Sequence, residues 1–181
     1  MRALQGLLLT FLAYFLVGVP PALASPSAPQ APQANDVCFS PDEGCDEKLA
    51  RFIASARTSL DIAIFDLTLD QIAHQILVQS NKIPVRVLVD RRQAKGKYSL
   101  VRLLIKAGAR VRVGYQRGIM HHKFTIVDGR ILQTGSFNYT SGAARNNQEN
   151  QVYISTSEVV ARYKSRFEAS WRQAKPSSSL K

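Results

Sequence analysis

The sequence predicts one α/β domain per chain, with a mixed, mostly parallel β-sheet and helices on both of its faces. Apolar runs at 59–65 and 85–90 alternate with segments of helical periodicity, which is typical of parallel strands joined by crossover helices. Further along, β-rich apolar runs flank Asp128-Gly129. This dipeptide predicts a hairpin turn, because both residues tolerate the positive φ angles that tight hairpins need.

Local signals position the individual elements. Ser40-Pro41-Asp42-Glu43 has the pattern of a capping box with proline at the first helical position, and Thr68 with Gln71 predicts a second capped helix. Gly108 is placed to end a third helix. In chain order, the sequence predicts a helix over about 41–57, a strand at 59–65, a helix through 72–77, a strand at 85–90, a helix at 99–109, the hairpin, a strand at 151–155 and a helix over 157–173 with an aromatic core stripe.

The N-terminus has the pattern of an export signal. Arg2, an apolar run and Ala22-Leu23-Ala24 predict a secretory signal peptide that is cleaved, with an uncleaved membrane anchor as the alternative. We therefore expect the protein to be periplasmic or secreted, with no stable membrane partner unless the leader stays attached. The predicted segments are the signal at 1–24, a Pro-rich linker at 25–35, the folded domain at 36–174 and a flexible tail at 175–181.

The chain is strongly basic. It has 24 Lys and Arg against 13 Asp and Glu; removal of residues 1–24 leaves 23 basic residues and a net charge of +10. Such an excess favours a polyanionic partner, either nucleic acid or an anionic lipid surface. A generically basic secreted protein is the alternative.

Cys38 and Cys45 are the only two cysteines. In an exported protein they favour a disulfide that closes a small loop. Free thiols are the next alternative, and a metal site the last, because two cysteines without nearby histidines make a poor zinc set.

Residues 120–150 concentrate the groups that can perform chemistry. In the first hairpin strand, His121 and Lys123 are two apart and share a face, which puts an imidazole beside an ammonium and points His122 to the opposite side. The second strand ends in Gly135-Ser136-Phe137-Asn138, where a residue without a side chain would let an anion approach a hydroxyl and an amide. The stretch predicts a phosphate site.

A second basic segment follows the strand at 85–90. Because ligands bind at the carboxyl ends of strands in open α/β sheets, the basic side chains there are possible nucleic-acid contacts, with an ordinary solvated loop as the alternative. The residues concerned are Arg91, Arg92, Lys95 and Lys97. Arg110 and Arg112 alternate with valines and are expected on an exposed strand face.

The spacing His121-x-Lys123, four residues, Asp128, six residues, Gly135-Ser136-x-Asn138 resembles the HxK(x)4D(x)6GSxN motif of the phospholipase D superfamily. The single motif copy, the short chain, the export signal and Glu149 make it similar to the small bacterial Nuc-type endonucleases. The resemblance extends from about Phe39 to Trp171.

This resemblance implies a phospholipase D-like fold and a homodimer, because one motif supplies one histidine and the reaction needs two. One His121 would attack phosphorus and form a phosphohistidine, while the other protonates the leaving group. Lys123 and Asn138 would hold the phosphate, with Ser136 as a further donor, and Glu149 would orient His121. Asp128 and Gly135 are expected to be structural; no metal and no cofactor are expected.

Three functions fit these predictions. A metal-independent nuclease acting on single-stranded or nonspecific DNA or RNA is favoured by the short length, the charge and the lack of an evident lipid-docking insertion. A phospholipase D-type lipid phosphodiesterase would use the same chemistry. A nucleic-acid-binding dimer without catalysis is the third alternative.

Overall fold

A computed structural model describes residues 35–114 and 118–180. The predicted signal peptide and residues 25–34 of the linker lie outside this part of the chain. One eight-stranded sheet has the order β1-β7-β6-β5-β2-β3-β4-β8. The strands are β1 (Asp36–Ser40), β2 (Leu60–Ile64), β3 (Val85–Val89), β4 (Arg110–Val113), β5 (Lys123–Val127), β6 (Ile131–Gly135), β7 (Glu149–Ile154) and β8 (Lys175–Pro176). The helices are α1 (Cys45–Ala54), α2 (Asp70–Ser80), α3 (Val101–Lys106), α4 (Ser141–Arg145) and α5 (Ser157–Gln173).

The mixed α/β sheet is confirmed, but its strand pairs are mainly antiparallel. Only β2–β3 and β3–β4 pair in parallel, through the α2 and α3 crossovers. The other five pairs are antiparallel. The prediction of a mostly parallel sheet is wrong because it rests on the two strand–helix repeats. The hairpin and the strands at both sheet edges add antiparallel pairs, which helix periodicity does not reveal.

Helices cover both faces of the sheet, as predicted. Alternate side chains of β2 explain how: Leu60, Ile62 and Ile64 pack into the larger core with α1, α2 and α3, whereas Ala63 joins the smaller core under α5. The aromatic stripe of α5 is largely core, since Phe167 and Trp171 are buried there. The sheet is therefore held from both sides and offers its strand ends as a rigid platform.

The predicted hairpin is present. Asp128 and Gly129 both have positive φ angles, 54° and 64°, and Val127 pairs with Ile131 across the turn. Because β5 also pairs with β2 on its other side, the hairpin lies in the middle of the sheet. Every side chain of β5 is buried.

The first helix does not begin at the predicted capping box. Residues 41–43 form turns, and α1 starts at Cys45 after Gly44, whose φ angle is 61°. Ser40 belongs to β1, and the Glu43 carboxylate accepts a hydrogen bond from the backbone N–H of Phe39. That strand contact occupies the carboxylate that a capping box would use. Thr68 likewise does not cap α2, which has Leu69 at its N-cap position.

The C-terminal tail is ordered rather than frayed up to residue 180. Lys175 and Pro176 pair with β4, a 3₁₀ turn follows, and Leu180 is buried. The apolar Leu180 gives the segment something to bury, which a composition rich in serine conceals. Arg112 is also less exposed than predicted, because it lies against Trp171 and donates to its carbonyl at 2.6 Å.

The predicted disulfide is confirmed: Cys38 and Cys45 are bonded across seven positions and are fully buried. The bridge ties β1 to the first residue of α1. No helix among the described residues is long and apolar enough to cross a bilayer.

Candidate active site

The motif residues meet at one end of the sheet. Lys123 begins β5 and pairs with Ile64, the last residue of β2. Thr134, next to the end of β6, pairs with Phe124. The carboxyl ends of β2, β3 and β6 thus surround the segment that enters β5, so residues far apart in the sequence reach one site.

His121 and Lys123 lie side by side, as predicted. The Lys123 Nζ is 3.3 Å from Nε2 and 3.4 Å from Nδ1 of His121, and it donates to the His121 carbonyl at 3.1 Å. Phe65 contacts both groups: its ring centroid is 4.5 Å from that of His121 and 5.3 Å from the Lys123 Nζ. Phe65 therefore supports the imidazole and faces the ammonium with its negative π surface.

The two side chains differ in exposure. His121 is open to solvent, whereas Lys123 is only 9% exposed. Burial lowers the pKa of Lys123, while the negative charge of Glu149 acts in the opposite direction. A weakly hydrated ammonium beside an accessible imidazole is a suitable arrangement for holding an anion against a nucleophile.

The Gly135-to-Asn138 segment follows β6 beside this pair. A side chain at Gly135, where φ is 147°, would overlap the carbonyl oxygen of Asn150. The glycine is therefore needed for the close approach of β6 and β7, which agrees with a structural role. Asn150 fills the space beside Gly135 where an anion was predicted to approach.

Ser136 and Asn138 have different hydrogen-bonding states. The Ser136 hydroxyl oxygen accepts from the backbone and side-chain nitrogens of Asn150, at 3.1 and 3.3 Å. The Ser136 hydroxyl proton is therefore available to donate to a phosphate oxygen. The Asn138 Oδ1 is buried and has no hydrogen-bond partner in the described chain. An unpaired buried oxygen is costly, so this amide is ready to bond to a group that the single chain does not supply.

Glu149 stands near the pair but does not bond to His121 here. Its Oε1 accepts from the Asn147 side chain at 3.0 Å, and it acts on Lys123 through its charge. The predicted role of Glu149 in orienting His121 stays a prediction. Within one chain, the Glu149 carboxylate acts on the Lys123 ammonium by raising its pKa.

Asp128 is at the opposite end of β5, about 17 Å from Lys123 at the usual rise of a strand. Its carboxylate accepts from the backbone N–H groups of Arg57, Thr58 and Ser59. These bonds lower its pKa against the opposing effect of burial. The side chain pins the loop between α1 and β2 to the hairpin turn, which agrees with a structural role.

Part of the predicted basic loop reaches the site. Arg91 and Arg92 line a cavity of about 280 Å³ together with His121 and His122. Asp90, which is buried, organises this cavity: one carboxylate oxygen accepts from the Arg92 backbone and the other from the Met120 backbone. Lys95 and Lys97 are exposed and do not line the cavity.

Phe65, Asp90 and His122 were missed by sequence reasoning. Phe65 and Asp90 are the residues just after β2 and β3, so their positions at strand carboxyl ends were the available signal. His122 lies beside Phe124, with ring centroids 5.6 Å apart, and it lines the cavity rather than a plain surface. Within residues 35–114 and 118–180, no three His, Cys, Asp or Glu side chains are grouped so that they could hold a metal.

Comparisons with known proteins agree with this architecture. Residues 49–171 match the family described as cardiolipin synthase, PLD-like domain. The mouse mitochondrial cardiolipin hydrolase is 34% identical over 155 residues, which is 85% of this chain and 70% of the relative. The chain spans 52% to 70% of the length of the mouse, dog and human relatives of that name.

Two solved structures share the fold over nearly their whole length. The phospholipase D family member Nuc from Salmonella typhimurium has a TM-score of 0.75 and 25% identity, over 79% of this chain and 97% of that one. NucT from Helicobacter pylori has a TM-score of 0.72 and 29% identity, over 78% of this chain and 98% of the other.

The family match and the shared fold place the chain in the phosphodiesterase class. In particular, the chain belongs to the phospholipase D superfamily.

Proposed function

We propose that this protein is an exported, metal-independent endonuclease that hydrolyses DNA or RNA through a phosphohistidine, at a site shared by two subunits. The observation that carries the proposal is the contact between His121 and the nearly buried Lys123 ammonium, 3.3 Å apart. An accessible imidazole can attack phosphorus. The fixed positive charge beside it stabilises the charge that builds on the phosphate oxygens.

In the first step, a ring nitrogen of His121 forms a bond to phosphorus while the bond from phosphorus to the leaving oxygen breaks. The protonated His121 of the partner subunit gives its proton to that oxygen, which leaves as a hydroxyl. In the second step, the same partner imidazole takes a proton from water. The resulting hydroxide attacks phosphorus, the N–P bond breaks, and both histidines return to their starting states.

Two features of the chain support a shared site. One motif supplies one catalytic histidine, yet the first step needs a nucleophile and an acid at the same time. The Asn138 oxygen also has no partner in the described chain, as expected of a group completed by a ligand or by a second subunit. A two-fold axis beside this end of the sheet would supply both missing parts.

Nucleic acid is the favoured substrate because Arg91 and Arg92 extend the positive surface beyond the reacting centre and the whole chain is basic. A polymer with one charge per residue exploits such an extended surface. Lipid phosphodiester hydrolysis is the second candidate. It is favoured by the relatives named mitochondrial cardiolipin hydrolase and by the Rickettsia bellii relative named phospholipase D, which is 32% identical over 127 residues.

The test is to incubate the purified protein, in excess EDTA, with plasmid, a single-stranded oligonucleotide, single-stranded RNA and vesicles that contain cardiolipin or phosphatidylcholine. We expect cleavage of at least one nucleic acid. His121→Asn should lower this activity by about 10³-fold or more, because it removes both the nucleophile and the acid.

His74→Asn is the matched control, since His74 is an exposed residue of α2 and should not affect cleavage. Lipid hydrolysis without nucleic-acid cleavage would transfer the assignment to a lipid phosphodiesterase. Loss of activity in EDTA would contradict the metal-independent mechanism.

A further inference from the structure

A second groove adjoins the reacting centre on the α5 side of the sheet. It has a volume of about 700 Å³, and its lining includes His122, Phe124, Arg162, Tyr163 and Arg166. His122 also lines the smaller cavity that contains His121. The groove and the cavity therefore meet at one residue, next to the nucleophile.

Aromatic rings form the floor of the groove. The centroids of His122 and Phe124 are 5.6 Å apart, and those of Phe124 and Tyr163 are 5.1 Å apart in an edge-to-face arrangement. Phe124 is buried, so the neighbouring His122 and Tyr163 rings present the accessible surface. His122 is exposed and Tyr163 half-buried, and accessible rings beside positive charge are the combination that binds unstacked bases.

Positive charge follows the rim. Arg162 and Arg166 are exposed, one helical turn apart on α5, and neither forms an ion pair with a carboxylate of the described residues. Burial lowers the pKa of His122, and Arg166, Lys123 and His121 lower it further. These effects favour the uncharged ring of His122, while the two guanidiniums keep their charge for an anion.

We infer that this α5 groove, defined by His122, Tyr163, Arg162 and Arg166, binds the single-stranded nucleic acid that flanks the scissile phosphate. The arginines would contact backbone phosphates, and the rings would stack on bases. The inference rests on the proposed nuclease function and extends it, because it assigns the strand a path from the reacting centre along α5. It also implies a preference for single strands, since a paired base is not free to stack here.

The test compares Arg162→Gln/Arg166→Gln with the control Lys82→Gln/Lys106→Gln. The control removes two exposed charges from the α2–α3 side of the sheet, so both variants have the same net charge. We expect the groove variant to raise KM for a 20-nucleotide single strand about tenfold at unchanged kcat. Its plot of log KM against log salt should be shallower by about 1.4, from about 0.7 for each lost phosphate contact on a single strand. The control should match the wild type.

Hydrolysis of bis(p-nitrophenyl) phosphate provides the second readout, because this small diester reaches only the catalytic centre. The groove variant should retain it. A loss equal to that for the oligonucleotide would overturn the inference, as the arginines would then support the centre itself.

Binding separates this inference from the proposed function. Fluorescence anisotropy of a labelled oligonucleotide, measured in the His121→Asn background, should show weaker binding for the groove variant than for the control. If the groove variant binds more weakly while the wild type cleaves no nucleic acid, the inference that the groove binds single strands is supported and the nuclease proposal fails. Equal binding by both variants would overturn the groove even if the wild type is an active nuclease.

The same variants test two other ligands for the α5 groove, an anionic lipid surface and a second subunit. Weaker sedimentation with anionic vesicles, together with unchanged oligonucleotide binding, would assign the groove to a lipid surface and reject the inference. A groove variant that is monomeric in light scattering, next to a dimeric control, would show a subunit interface and reject it as well.

Discussion

At the scale of the residue, Lys123 determines what the site can bind. Its ammonium is nearly buried, yet it has no carboxylate within ion-pairing distance in the described chain; its contacts are the His121 ring and carbonyl and the Phe65 ring. A desolvated cation of this kind interacts strongly with any anion that enters. Glu149 moderates it from a distance.

The pKa of Lys123 tests this arrangement. Burial lowers it from 10.5 and Glu149 raises it, so Glu149→Gln should lower the pKa of Lys123 further. The measurement is an NMR titration of ¹³Cε-labelled lysine in both proteins, with Glu158→Gln, an exposed residue of α5, as the control. An unchanged or higher Lys123 pKa in the Glu149 variant would contradict the assignment.

The same shift has a consequence for stability. A lysine that binds its proton more weakly in the folded state than in the unfolded state makes the unfolded chain carry more protons between the two pKa values. The free energy of unfolding therefore rises with pH across that window, which lies below 10.5.

At the scale of the element, β6 and β7 depend on one glycine. Gly135→Ala would drive its Cβ into the Asn150 carbonyl and displace the residue that donates to Ser136. We expect roughly 2–5 kcal/mol of destabilisation from backbone strain and overpacking. Gly142→Ala is the control: it lies in α4 with its nearest new contact at 3.9 Å, and alanine is the better helix former there. Chemical denaturation measures both; equal stability of the two variants would refute the steric explanation.

The elements that the sequence predicted well are those with a strong local signal. The Asp128-Gly129 turn, the β2 and β3 strands and α5 follow from turn chemistry and apolar periodicity. Predictions failed where a distant contact decides the outcome. The Glu43 carboxylate accepts a hydrogen bond from Phe39 of β1 instead of capping a helix. Lys175 and Pro176 pair with β4, and Leu180 is buried.

The site divides in the same way. The fixed spacing of the motif located His121, Lys123 and Asn138, because the antiparallel hairpin brings the segment before β5 next to the segment after β6. Phe65 and Asp90 directly follow β2 and β3, and only the strand order β5-β2-β3 brings them to the motif. No spacing within a single segment encodes that neighbourhood.

At the scale of the whole molecule, the proposed mechanism makes activity a property of the pair of subunits. If one site needs both copies of His121, a dimer with one His121→Asn subunit is inactive. Wild type mixed with an equal amount of the variant should then keep, after subunit exchange, about one quarter of the activity of wild type alone at the same total protein concentration. One quarter is the share of dimers with two intact subunits. Independent sites would keep about one half. His74→Asn in place of the variant should leave full activity. Light scattering checks that the mixture is dimeric, and co-purification of untagged wild type with an affinity-tagged His121→Asn subunit shows that exchange is complete. An activity of one half after complete exchange would show that each chain works alone, and the acid would then have to come from within the same subunit.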